Sequence, residues 1–114
     1  LLTSEIGEVK YESDWYDYDS KYYSNNKITI PAEIDSKIAK EIKEIAIQSC
    51  RALNIFGFAR VDFFLEKSSN KILLNEINTI PGFTKNSMFP MLWEASGLKI
   101  EQLVAKLVDI SLDL

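Results

Sequence analysis

The spacing of apolar and polar positions predicts a mixed fold. Residues 5–11, EIGEVKY, alternate weakly and predict a short strand, and KITIPA predicts a second one that Pro31 ends. Between them runs ESDWYDYDSKYYSNNK, residues 12–27, with no helical period and little strand logic. A polar loop of this length inside a domain points to function or to disorder, and Trp15, Tyr16, Tyr18, Tyr22 and Tyr23 argue against simple disorder. From Asp35 to Leu53, Ile38, Ile42, Ile45, Ser49 and Leu53 recur at steps of three and four. That period predicts a helix with Asp35 as its N-cap and Ala46 and Cys50 along the buried stripe. IFGFARVDFFLEK, residues 55–67, is a nearly continuous apolar run and predicts a strand covered on both faces. SSN is the turn, and KILLNEIN returns antiparallel. After a loop at 79–86, SMFPMLWEASG predicts a short helix begun by Ser87 and stopped by Gly97, with Pro90 tolerated near its first turn. A last amphipathic helix follows, through Ile100, Leu103, Val104, Leu107 and Ile110. The expectation is an α+β fold, an antiparallel sheet with helices packed on it.

Composition narrows the chemistry more than the fold. At 114 residues the chain is one domain by length, 46% hydrophobic and 26% charged. A net charge of −4 and a pI near 4.8 give no reason to expect a nucleic-acid or anionic-membrane partner. No apolar run approaches the roughly 20 residues that span a bilayer. The single cysteine, Cys50, excludes an internal disulfide and suits a reducing cytoplasm, the expected location. Histidine is absent, which removes the commonest general base and the commonest zinc ligand. Chemistry must then come from carboxylates, Arg, Lys, Tyr and backbone amides. The opening LLTSEIGEVKYES has no initiator Met and no capping or turn signal, so the expectation is a piece of a longer polypeptide.

The hairpin carries the densest signal. Strand side chains alternate, so Arg60, Asp62 and Phe64 are expected on one face of the first strand, and Leu74, Glu76 and Asn78 on one face of the second. With the turn at Ser68–Asn70, Asp62 and Glu76 lie nearly opposite each other. Facing carboxylates repel unless something positive sits between them. Two carboxylates and an adjacent amide are hard oxygen donors that suit Mg2+, with Arg60 one pleat away to stabilise negative charge. Pro81-Gly82 then brings bare backbone to the same place. The alternative for these residues is a half-exposed strand pair in which Asp62 and Glu76 are neutralised by Arg60 and a lysine.

ARVDFFL followed by LLNEINTIPGFTKNSMFP closely resembles the C-terminal part of the D-alanine–D-alanine ligases of the ATP-grasp superfamily. WYDYDSKY resembles that family's mobile loop, and the similarity runs from about residue 5 to the end. The resemblance implies ATP-dependent ligation of two D-alanines through an acyl-phosphate, for peptidoglycan precursor synthesis. Its cofactors would be ATP and two Mg2+ ions, with Mn2+ as a substitute. Asp62, Glu76 and Asn78 match the metal ligands, Glu76 bridging the ions that clamp the nucleotide phosphates. Arg60 and the Gly82 amide match groups that stabilise the acyl-phosphate and tetrahedral states. Ser87 and Met88 match positions that bind the carboxylate of the second D-alanine, a role a helix N-terminus independently favours. Lys21 matches a loop lysine that reaches the transferred phosphate. Tyr22 stands where members making D-alanyl-D-lactate tend to carry His, so it matches the dipeptide-forming version. Phe64 matches part of the adenine floor, with a plain core phenylalanine as the alternative.

Two departures qualify the match. Asn86 stands before Ser87 where some members have His or Tyr, which leaves second-site details open, and the rival within the enzyme class is another ATP-grasp ligase, of the D-alanyl-D-serine or D-alanyl-D-lactate kind. The family's N-terminal and central domains have no counterpart in these 114 residues, so residues 1–114 are expected to be a C-terminal subdomain, inactive alone, with 12–27 as its mobile loop. The resemblance also allows a homodimer in the manner of the family, and the sequence does not set the oligomeric state. The rival of a different class is a non-catalytic scaffold lobe, against which the intact Arg60, Asp62, Glu76 and Asn78 set argues.

Overall fold

The computed structural model describes residues 1–10 and 27–113 and places two short strands, β1 (Glu8–Lys10) and β2 (Lys27–Thr29), antiparallel to each other. Their register sets Lys10 opposite Lys27, so both ends of the tyrosine-rich stretch are brought side by side. Lys21 and Tyr22 themselves lie outside the described residues.

Helix α1 (Ser36–Ala52) begins as its sequence predicts, with an Asp35 carboxylate oxygen accepting from the Lys37 amide at 2.8 Å. Its end has a less obvious cause. Asn54 takes a left-handed φ of 53°. The Ile55 amide then reaches the Cys50 carbonyl at 3.0 Å and the Asn54 amide the Arg51 carbonyl at 3.1 Å, the paired bonds of a Schellman motif. Leu53 thereby becomes the C-cap and is 63% exposed, which corrects its expected place on the buried stripe, whereas Ile42 is buried.

The larger sheet pairs β3 (Arg60–Glu66) with β4 (Lys71–Asn78). The strand predicted from residue 55 starts only at Arg60, because Gly57 adopts φ 85° and breaks the extended run. Phe58 turns inward instead and packs with Phe83 and Phe89, ring centroids 6.3 and 5.4 Å away. The hairpin closes through Asn70, also left-handed at φ 57°. The register then slips between Asp62 and Phe63: Asp62 pairs with Glu76, but Phe63 pairs with Leu74, leaving Asn75 as the extra residue of a β-bulge. Beyond the bulge Phe64 faces Leu73, so Leu74 does not share the face of Glu76 as strict alternation predicts.

The expectation that β3 is covered on both faces is also corrected. No residue of β3 or β4 is buried, and Phe64 is 59% exposed. A two-stranded ribbon covers neither of its faces by itself, and full burial needs a packed layer on each side.

Helix α2 (Met88–Ala95) carries the buried Phe89 and Pro90, and α3 (Ile100–Leu112) packs on it through the buried Leu103. Gly97, at φ 96°, ends α2 with a second Schellman pair, the Leu98 amide on the Trp93 carbonyl and the Gly97 amide on the Glu94 carbonyl. Gln102 reaches back to the Lys99 amide at 3.0 Å to start α3. The N-terminal segment is tied to α2: the Glu5 amide donates to Ser96 Oγ at 2.7 Å, which donates to the Leu92 carbonyl at 2.8 Å. Among the described residues no helix is long and apolar enough to cross a membrane.

Candidate active site

Adjacent strands bring Arg60, Asp62, Glu76 and Asn78 together at the open end of the β3–β4 hairpin. Arg60 pairs across the ladder with Asn78, and Asp62 with Glu76. The Arg60 guanidinium lies along Asp62, Nε at 2.8 Å from Oδ1 and Nη2 at 2.8 Å from Oδ2, in a two-pronged contact. The same Nη2 is 3.8 Å from Glu76 Oε1. The positive group demanded by two facing carboxylates is therefore supplied by Arg60 itself, and a divalent ion is not required to make their closeness tolerable. Arg60 is the neutralising group that the alternative reading of these strand residues names, and the facing geometry of Asp62 and Glu76 is as expected.

The donor set still fits a hard cation. Each carboxylate oxygen of Asp62 retains a lone pair beyond the one that faces Arg60. Glu76 is 59% exposed at its side chain, so its oxygens are accessible. Asn78 Oδ1 accepts from the Ile80 amide at 2.9 Å, an Asx turn that fixes the side chain and leaves a second lone pair. Among the described residues there is no group of three or more His, Cys, Asp and Glu side chains arranged for a metal. Two carboxylates and an amide make an incomplete shell, of the kind Mg2+ accepts when substrate phosphates supply the remaining oxygens.

The Asx turn leads into a second group of residues. Pro81 is buried, Gly82 is exposed, and a Cβ built on Gly82 would lie 3.1 Å from Ser87 Oγ. Ser87 occupies the N-cap of α2 as predicted, but its side chain makes no capping bond to that helix. Its Oγ turns back instead, accepting from the Thr84 amide at 3.0 Å and lying 2.6 Å from Thr84 Oγ1. The Ser87 amide donates to the Thr84 carbonyl at 3.0 Å. Met88 is the first residue of α2, and its Sδ would lie 3.3 Å from a Cβ built on Gly7. Phe64 lies across the bulge from Asp62, its ring open to solvent. Thr84 has no place among the predicted site residues. Its signal in the sequence is a Thr three residues before a helix-starting Ser, a spacing at which the two hydroxyls meet.

Cys50 stands apart, half-buried in a crevice of about 110 Å³ with Ala46, Ile47, Ile55 and Val61, and burial pushes its thiol pKa up.

Residues 1–109 match the family model described as D-ala D-ala ligase C-terminus. The chain is 94% identical over 114 residues to a D-alanine--D-alanine ligase of Prochlorococcus marinus strain MIT 9215, covering 100% of this chain and 32% of that protein. It is 54% identical over 112 residues to the D-alanine--D-alanine ligase of strain NATL1A, covering 97% of this chain and again 32% of the relative. The chain thus spans about a third of the length of the curated relatives it matches. Among solved structures, the VanG D-Ala:D-Ser ligase from Enterococcus faecalis superposes with a TM-score of 0.82 at 38% identity, over 96% of this chain and 32% of that one. The D-alanine-D-alanine ligase from Coxiella burnetii gives 0.73 at 44% identity, over 76% of this chain and 25% of that one.

Proposed function

The chain belongs to the D-ala D-ala ligase C-terminus family, and from that premise we propose that it forms the C-terminal lobe of an ATP-dependent ligase joining two D-alanines. ATP phosphorylates the carboxylate of the first D-alanine, and the amine of the second displaces phosphate to give the dipeptide used in cell-wall precursors. The observation that carries the reading is Asp62 facing Glu76 across the ladder, with the Arg60 fork beside both.

Each residue has a stated task. Asp62, Glu76 and Asn78 would hold Mg2+, which when bound would neutralise phosphate charge. Arg60, anchored by Asp62, places a guanidinium charge beside the metal ligands, where it stabilises negative charge that grows at the acyl centre. Gly82 offers a backbone amide unobstructed by a side chain. Ser87 and the Met88 amide at the start of α2 bind the acceptor carboxylate. Phe64 supplies an apolar face for the adenine. Lys21 and Tyr22 lie outside the described residues, and the family resemblance assigns them to the transferred phosphate. These 114 residues hold no His, so this lobe's own contribution is positioning and electrostatics. The domains that bind the first D-alanine and grip ATP belong to the longer polypeptide, so residues 1–114 alone are inactive.

The test is product analysis on the full-length polypeptide with ATP, Mg2+ and D-alanine. Accumulation of D-alanyl-D-alanine and ADP is expected, and its absence defeats the reading. The likeness to a D-Ala:D-Ser ligase favours D-serine as the second acceptor to try. A competition between D-alanine and D-serine separates the two, with D-alanine expected to dominate in line with the names of the more identical relatives.

A further inference from the structure

A hydroxyl has one hydrogen to give and two lone pairs with which to accept. Ser87 Oγ already accepts from the Thr84 amide at 3.0 Å. The second contact, 2.6 Å to Thr84 Oγ1, can run in either direction. If Ser87 donates, its only hydrogen is consumed inside the loop. If Thr84 donates, both acceptor sites of Ser87 are filled and the serine hydrogen must point elsewhere, as a dedicated donor. An acceptor carboxylate selects the second arrangement, because it offers lone pairs and no hydrogen. Gly82 flanks the same oxygen, and a side chain there would press on it at 3.1 Å.

From this geometry we infer that Thr84 is a positioning residue that makes Ser87 a one-way hydrogen-bond donor toward the carboxylate of the acceptor substrate. The inference rests on the reading of Ser87 given above. Thr84 fixes the Ser87 hydroxyl from two sides, by amide and by hydroxyl, and diverts it from capping its own helix. The first turn of α2 then presents the Met88 and Phe89 amides without competition from that hydroxyl, and Pro90 has no amide hydrogen to offer.

The experiment uses the full-length enzyme with Thr84→Val, Thr84→Ser, Ser87→Ala and the Thr84→Val/Ser87→Ala double variant. The apparent KM for acceptor D-alanine is expected to rise about fivefold in Thr84→Val, the size of one lost neutral hydrogen bond, with kcat and the KM for ATP within about twofold of wild type. Thr84→Ser, which keeps the hydroxyl, is expected to restore the acceptor KM. The double variant is expected to match Ser87→Ala alone, since Thr84 acts only through Ser87. An unmoved acceptor KM in Thr84→Val overturns the inference, as does equal damage from Thr84→Ser, which would assign the effect to the methyl group. Multiplying effects in the double variant also overturn it. A wild-type enzyme that forms no dipeptide defeats the functional reading itself, an outcome separate from those three.

Discussion

Arg60 grips Asp62 with both arms of its guanidinium, each nitrogen 2.8 Å from its own carboxylate oxygen, and the two residues are two apart on one strand. The contact joins same-face neighbours along β3, and Glu76 joins from β4 at 3.8 Å. The cluster is a charge balance centred on one arginine. Replacing Arg60 with Ala should leave two facing carboxylates without that cation and lower unfolding free energy by about 1 kcal/mol in metal-free, low-salt buffer. Adding Glu76→Gln to that variant removes the repulsion and should recover part of the loss. Urea titration of the full-length protein measures both, and an additive double variant would show that the carboxylates do not sense each other.

Glu76→Gln alone separates stability from function. Its side chain is 59% exposed and its contact with Arg60 is long, so the change should alter stability by no more than about 0.5 kcal/mol without metal. In the full-length enzyme the same change should abolish Mg-ATP-dependent dipeptide formation. Turnover at the wild-type rate would remove Glu76 from the metal shell.

The proposed shell of two carboxylates and one amide also predicts how metal and nucleotide depend on each other. Mg2+ alone should bind the full-length protein weakly, and a non-hydrolysable ATP analogue should tighten it at least about tenfold, since the phosphates supply missing oxygens. Linkage requires Mg2+ to tighten the analogue by the same factor. Calorimetric titration in both orders measures the two factors. Equal Mg2+ affinity with and without nucleotide would point to a metal held by protein ligands alone.

Much of this architecture was legible from spacing, and the failures have local causes. The helix at Asp35 and the turn that sets Asp62 against Glu76 follow from period and turn chemistry, and both are found. The bulge at Asn75 was not legible, because no glycine marks it and LLN reads as ordinary alternation. It moved Leu74 off the Glu76 face. Apolar continuity in residues 55–67 reflects burial only where a covering layer exists, and Phe64 and Leu73 remain 59% and 42% exposed here. The helix-start rule located Ser87 correctly but could not foresee that Thr84, rather than the helix, would engage its hydroxyl.

The two Schellman ends differ in the residue that adopts the left-handed turn. Gly97 sits at φ 96°, where a Cβ is strained, and among the described residues nothing beyond its two chain neighbours lies within 4 Å of the Cβ position. Gly97→Ala should therefore cost about 1 kcal/mol through backbone strain alone. Asn54, at φ 53°, already tolerates the conformation, so Asn54→Gly should change stability by less than about 0.5 kcal/mol. Thermal unfolding of the two variants under one condition tests the contrast, and a larger loss from Asn54→Gly would contradict it.

Gly7 connects packing to the proposed acceptor site. A Cβ at this position would lie 2.8 Å from Leu92 Cδ2, 3.3 Å from Ile30 Cγ1 and 3.3 Å from Met88 Sδ. Three side chains from β2's exit and from α2 thus converge on a place that only glycine leaves open. The tightest contact is with the tip of a leucine, which can rotate, so Gly7→Ala should cost about 1 kcal/mol, at the low end for overpacking. The strain reaches function through Met88, the first residue of α2 and a proposed contact of the acceptor carboxylate. In the full-length enzyme the acceptor KM should rise about twofold to threefold while the KM for ATP stays unchanged, because the proposed metal ligands lie on the other hairpin. A stability loss with both KM values unmoved would show that α2 absorbs the added methyl without shifting its N-terminus.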